Sequence, residues 1–231
     1  MGEPAFDEAV HWQGDDVRTV GAALVAEQAD VAEVQARRSV WLRYRWAVSD
    51  DDRTISIEAF RDYDDIRVSK VVPVGDGRWP PASGEIVLEA AAKQVDDYEI
   101  GDILEVETAE GETVELRVAG FAHDINAFPA QFSGYETGYV SFGAMQDLGE
   151  PLEYNQLSLI FEDPDVTWTE SSRSAVDLRE EVFDTRGVQV YYTDVPEPGS
   201  HFLGDIFGAL SLLLLALGAR ALGLSACLVV N

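Results

Sequence analysis

Lysine is nearly missing from this chain: Lys70 and Lys93 are the two in 231 residues, and Lys plus Arg number 16 against 43 Asp plus Glu, a formal net charge of −27. Nucleic acid binding needs basic residues gathered on one face to neutralise phosphate, so that partner class is excluded. An anionic membrane surface is disfavoured for the same reason. Cysteine occurs once, at Cys227, which rules out an intrachain disulfide and makes that residue a small hydrophobe by default. The opening "MGEPAFDEAVHWQGDD" has neither the basic nor the apolar region of a signal peptide, so an outer domain would draw its export signal from upstream. The three histidines, His11, His123 and His201, are too scattered for metal-ligand spacing. No GxSxG elbow and no GxxxxGK[ST] phosphate loop occurs. The acid runs Asp50 to Asp52 and Asp62 to Asp65, and the pair Asp96 and Asp97, read as solvated turns rather than calcium loops. The expectation is therefore no catalytic residues, no cofactor and no metal: a non-enzyme.

What is abundant is acid. A surface rich in Asp and poor in Lys is tolerated by a high-salt environment, where screening relieves self-repulsion. A halophilic source and a merely acidic domain both fit, and a melting temperature that rises between low and molar salt separates them.

The acidity stops abruptly near the end. From Ile206 to Val230 the chain runs 25 residues whose one charge is Arg220, and thirteen are Leu, Ile, Val or Phe. A spanning helix needs about 20. The summed transfer preference still favours insertion against Arg220. Leu212 to Leu215 occupy every side of a helix, a pattern for lipid or a full protein sheath rather than for an amphipathic surface helix. Gly208, Gly218 and Gly223 suit close helix packing in a membrane. Arg220 at that depth calls for a partner helix or a water-filled path. Residues 201–231 are accordingly expected to be a stalk, containing His201 at the interface, and a transmembrane helix that includes Leu213, Gly218 and Arg220, with the chain a fragment that stops within it.

The acidic part alternates recognisably. A helix is expected over 16–28, with Val17, Val20, Leu24 and Val25 on one face. In "SVWLRYRWAV" the residues Val40, Leu42, Tyr44, Trp46 and Val48 alternate with Trp41, Arg43 and Arg45, and "TISIEA" continues the pattern after a polar turn: a hairpin. The Gly- and Pro-dense stretch 73–85 marks a boundary, with Trp79 expected to anchor it in the core. "DILEVETAEGETVELRV" reads as a second hairpin, "YNQLSLIF" as a strand, 172–183 as a helix closed by Gly187, and "VQVYY" as a last strand. This order fits an α+β fold. Residues 1–75 and 155–200 are expected to fold together as an α/β subdomain interrupted by a β-rich one at 76–154.

Several stretches together, "GRWPPASGEIVLE", "YEIGDILEV", "LRVAGFAHD", "GYVSF" and "YNQLSLIF", resemble the extracytoplasmic, MacB-like periplasmic core domain of FtsX/MacB-type ABC transporter permeases. The resemblance covers the chain from about residue 17, and includes the apolar exit "PGSHFLGDIFGALSLLLLALG". It implies an outer domain between two membrane helices, a mixed α/β subdomain interrupted by a β-rich one, residues 1–200 outside the cell membrane, and a separate ATP-binding subunit. It further implies coupling of ATP-driven helix movement to export or to activation of an extracytoplasmic partner. Membrane lipid, a second permease copy and such a partner are the other expected contacts. Two departures stand out: the first membrane helix is absent, and Arg220 lies within the second.

Other readings remain open. A membrane-anchored extracytoplasmic binding or adhesion domain needs no ATPase, and a hydrolase would need His123 with Asp124 or another acid. Phe128 and Phe132, in "NAFPAQFSGYETG", are candidate contact residues for a partner, with packing as the alternative.

Overall fold

The computed structural model describes residues 10–13, 25–28, 30–46, 51–196, 210–218 and 220. The chain order is β1 (Val10–Gln13), β2 (Val31–Trp46), β3 (Arg53–Ala59), β4 (Val71–Val74), β5 (Glu85–Glu89), β6 (Ile103–Glu107), β7 (Thr113–Asp124), the single-turn helices α1 (Ala130–Ser133) and α2 (Ala144–Asp147) flanking β8 (Glu136–Tyr139), then β9 (Gln156–Phe161), α3 (Trp168–Leu178) and β10 (Tyr192–Asp194). The fold is mixed α/β. Of the helix expected at 16–28, only Val25 and Ala26 are described as helical, and residues 14–24 lie outside the described residues.

Both hairpins form as alternation demands. In β2–β3, Val40 faces Ile57 and Leu42 faces Ile55, while Trp41, Arg43 and Arg45 project to solvent. In β6–β7, Leu104 faces Leu116 and Val106 faces Val114. Longer-range pairing then closes a ring. β3 runs parallel to β8, β8 antiparallel to β5, β5 parallel to β7, β7 antiparallel to β6, and β6 antiparallel to β2. A closed ring leaves no free edge among its strands, and its inward side chains form the core. That interior holds Leu42, Tyr44, Ile55, Ile57, Ile86, Leu88, Leu104, Val106, Leu116 and Val118. It takes residues from both sides of position 75, so hairpin β2–β3, grouped by sequence with the flanks, shares its core with the 76–154 block.

The first half of β2 belongs to a second, open sheet ordered β10-β1-β9-β2. One face of this base sheet is covered by α3, through Leu157, Leu159 and Phe161 against Ala175, Leu178, Val182 and Phe183. The helix starts four residues before the expected 172, because Thr167 caps it and Glu170 returns the bond to the cap. Beyond Leu178 it loosens into a wider turn over Arg179–Phe183, then tightens to end at Gly187, whose φ of +70° suits glycine. The last strand falls at Tyr192–Asp194 rather than 188–192, since Val188 and Val190 are drawn against the α3 core.

The segment 60–80 wraps the outside of the barrel. Trp79 packs against Tyr63 and Tyr139, and the Tyr63 hydroxyl donates to the Val140 carbonyl at 2.5 Å. The corner closes because Gly77 and Gly120 approach backbone to backbone: a Cβ on Gly77 would stand 2.8 Å from the Gly120 Cα.

Gly138 shows the same tightness inside the barrel. A Cβ there would meet the Ile86 Cδ1 at 2.5 Å and the Ile55 Cδ1 at 3.3 Å. Gly138→Ala is therefore expected to cost about 1–3 kcal/mol by overpacking. Adding Ile86→Val, which deletes the clashing methyl, should recover part of that loss. A double-mutant cycle in urea checks it, and simple additivity would show that the clash is absent.

No helix among the described residues is long and apolar enough to cross a membrane. The expected span at 206–230 lies in large part outside those residues. Within it, 210–218 are helical.

Candidate functional site

Three regions bear on function. The first is where the chain joins its tail. β1 and β10 are antiparallel neighbours, with His11 opposite Asp194 and Gln13 opposite Tyr192. The start of β1 and the end of β10 therefore stand side by side at the same end of the base sheet. Further along, the helical residues Leu210, Leu212, Leu213, Leu214, Leu215 and Leu217 are exposed, Leu215 at 73 %. Consecutive exposed leucines point in every direction around the helix axis, so the globular part does not sheathe them. Gly218 and Arg220 continue this helical stretch. His201 lies outside the described residues.

The second region is the junction of base sheet and barrel. Glu58, on β3, faces out of the barrel beneath the 60–80 segment. Its carboxyl lies 3.1 Å from the Arg37 Nη1, though Glu58 Oε2 makes no hydrogen bond in acceptable geometry. At that separation the two groups form an ion pair, because the Coulomb attraction depends on distance rather than on hydrogen-bond angle. Burial pushes the Glu58 carboxyl up from its ordinary range; Arg37 pulls it back, and the Asp124 charge adds to the rise. Asp124, also buried, accepts a hydrogen bond from the Tyr139 hydroxyl at 2.5 Å.

The third region is the barrel end formed by the starts of β3 and β8. The Tyr44 and Tyr98 hydroxyls meet at 2.5 Å, and Tyr98 donates to Glu136 at 3.4 Å. Arg53 pairs with Asp96 and stands 3.6 Å from Glu136. Burial pushes the Tyr98 hydroxyl up to about 12 and the Glu136 carboxyl above its ordinary value. All these groups are engaged with one another.

His123 and Asp124 do not form a dyad. Neighbours on a strand point to opposite faces: His123 is exposed beside Glu89, 3.2 Å from its carboxyl, while Asp124 is buried against Tyr139. Among the described residues no group of three His, Cys, Asp or Glu is placed to hold a metal. A hollow on the barrel wall lined by Arg43, Tyr44, Arg45, Asp52, Glu105, Glu107 and Thr113 offers about 10 Å³, room for a single water. Of the two candidate contact residues, Phe132 is 63 % exposed on α1, whereas Phe128 is half-buried and already engaged. Ile125 nearby is also exposed, and period-2 reasoning missed it because it follows the last residue of β7.

The fold is shared with the extracellular domain of an ABC-type transporter. The extracellular domain of YknZ, a noncanonic ABC-type transporter from Gram-positive bacteria, shares the fold with a TM-score of 0.50 and 14% identity, over 81% of this chain and 98% of that one. The periplasmic region of MacB from Actinobacillus actinomycetemcomitans gives a TM-score of 0.49 at 13% identity, over 82% of this chain and 89% of that one. No protein-family model matches the sequence, and no curated protein does.

Proposed function

We propose that the chain is the extracytoplasmic domain of an ABC transporter permease subunit in the cell membrane, coupling ATP-driven movement of membrane helices to export or to activation of an extracytoplasmic partner. On this reading residues 1–200 lie outside, 201–231 are stalk and membrane helix, and a separate chain binds ATP. The observation that carries it is the adjacency of residues 10–13 and 192–194. A domain inserted between two membrane helices must enter and leave at neighbouring points, and here those points are hydrogen-bonded to each other.

The same pairing supplies a mechanical route. A displacement of the segment after Asp194 acts on β10, then on β1, β9 and β2 in turn. β2 is 16 residues long and continues into the barrel wall, so it reaches about 50 Å without a break in chain. Motion of packed elements is transmitted as rigid-body rotation rather than elastic bending. At the barrel, exposed Phe132 offers an apolar contact to a second permease copy or an extracytoplasmic partner.

The test is affinity purification of the full gene product from membranes. Recovery of an ATP-binding chain in fixed proportion, with the acidic domain protease-accessible from outside, is the expected result. A product with one membrane span and no such chain would favour instead a membrane-anchored binding or adhesion domain without an ATPase.

A further inference from the structure

We infer that Arg37 and Arg38 lock the base sheet to the barrel, so that both turn as one body about β2; the inference rests on the coupling reading above. β2 makes its last pairing with β9 at Arg37, opposite Gln156, and its first with β3 at Arg38, opposite Ala59. Where a strand changes sheets, the two ladders share only that strand, and backbone bonding alone fixes their relative angle poorly. Side chains make up the difference.

Consecutive residues on a strand project to opposite faces. On one face, the Arg37 Nε donates to the Gln156 Oε1 at 2.6 Å, while its Nη1 pairs with Glu58 at 3.1 Å. Gln156 belongs to the base sheet and Glu58 to the barrel, so a single planar guanidinium spans both. On the other face, Arg38 pairs with Glu150 in the connection that leads from the barrel back to β9. Asn155 ends that connection and straps it to β2: its side chain donates to the Ser39 carbonyl at 2.7 Å and accepts from the Ser39 amide at 2.8 Å. Its own amide donates to the Arg37 carbonyl at 3.2 Å. Gln35, one turn of the pleat earlier, accepts from the Val68 and Ser69 amides at 3.0 Å each and holds the 60–80 segment against the same corner.

Three buried polar atoms without a hydrogen-bond partner among the described residues, Arg38 Nε, Glu58 Oε2 and Ser69 Oγ, all lie around this corner. A site chosen for stability alone would be apolar, because well-packed hydrophobic residues replace buried ion pairs at little cost or with gain. What a fixed guanidinium fork adds is one permitted geometry where an apolar contact accepts many.

The test uses the full chain in lipid nanodiscs, with Cys227→Ser and spin labels at Asp177→Cys on α3 and Glu112→Cys in the β6–β7 turn. Pulsed electron-spin distances are compared with those of Arg37→Met/Glu58→Leu and Arg38→Met/Glu150→Leu. Each double variant is expected to widen the distance distribution about twofold while the melting temperature stays close to the parent's. An unchanged width in both overturns the lock. Should a variant fail to fold, hydrogen exchange on the parent decides: amides of Ser39 and Asn155 exchanging as slowly as those of Leu42 and Ile57 uphold it, and exchange at loop rates overturns it. Neither measurement involves an ATP-binding chain, so a failed co-purification would leave this result standing, and the reverse.

Discussion

Arg37→Met will destabilise the chain by about 3–5 kcal/mol at neutral pH, because it strands a buried carboxylate without its counter-charge. Glu58 sits 3.1 Å from the guanidinium, with side-chain exposures of 15% for Arg37 and 12% for Glu58. With Arg37 gone, the remaining influences on Glu58, burial and the Asp124 charge, both raise its affinity for a proton. The pH dependence follows in sign. A carboxyl whose folded-state pKa stands above its unfolded value, about 4.3, favours the folded state fully below that value, and the contribution is lost as pH climbs through the folded-state pKa. The parent already has this sign at Glu58, and the variant has it more strongly over a window reaching further up. The penalty of Arg37→Met should therefore be smaller near about pH 4, below the unfolded value, where a proton on Glu58 is favoured, and grow towards neutrality. Urea unfolding of parent and variant at matched pH measures the difference directly and cancels the titration of the many surface acids. Adding Glu58→Leu should restore most of the loss at neutral pH. A penalty equal at both pH values, or below about 1 kcal/mol throughout, would mean that the pair is solvated rather than buried.

Glu58 also marks the limit of what residue patterns disclose. The hairpins were legible because polarity alternates with the pleat: in 40–46 the inward residues line the barrel while Trp41, Arg43 and Arg45 meet water, and 54–59 keeps the alternation although Ser56 and Glu58 on its outer face are buried. The preceding stretch Val31–Arg38 was not, because it lies in the base sheet with both faces at least partly covered, and mixed residues such as Gln35 and Arg37 serve as anchors there. Nothing local announces that one strand serves two sheets. The ring closure was equally hidden. Its parallel pairs, β3 with β8 and β5 with β7, join segments many residues apart, and the close fit of Gly138 against Ile55 and Ile86 depends on strands that no local pattern brings together. The His123–Asp124 pair invited chemistry by adjacency, yet adjacency on a strand separates side chains. Phe132 was legible as an apolar residue in a Pro- and Gly-bearing loop, and it is exposed, whereas its companion Phe128 is half-buried. The tail was the plainest signal of all, since leucines in four consecutive positions need no register to interpret.

The largest effect is expected there. Leu212→Lys with Leu215→Lys should release the chain from membranes. Each swap replaces a residue worth about −0.3 to −0.6 kcal/mol at the bilayer centre by one costing about +2.5 to +3.5, so the pair shifts insertion by about 6–8 kcal/mol. A shift of that size exceeds what the other apolar residues of the run supply once Arg220 is counted against them. Both leucines are largely exposed, at 72 % and 73 %, so neither change removes a buried core contact. The parent should stay with the membrane pellet after alkaline carbonate extraction and the variant should move to the supernatant, while Leu212→Ile with Leu215→Ile behaves as the parent does. The acidic barrel should be indifferent to the change, because the altered leucines are exposed rather than part of its core, and its urea midpoint provides the internal control. If the parent itself is recovered in the supernatant, monodisperse and without detergent, the leucines are covered by protein rather than lipid, and a domain that transmits the motion of membrane helices loses the helix it was to be moved by.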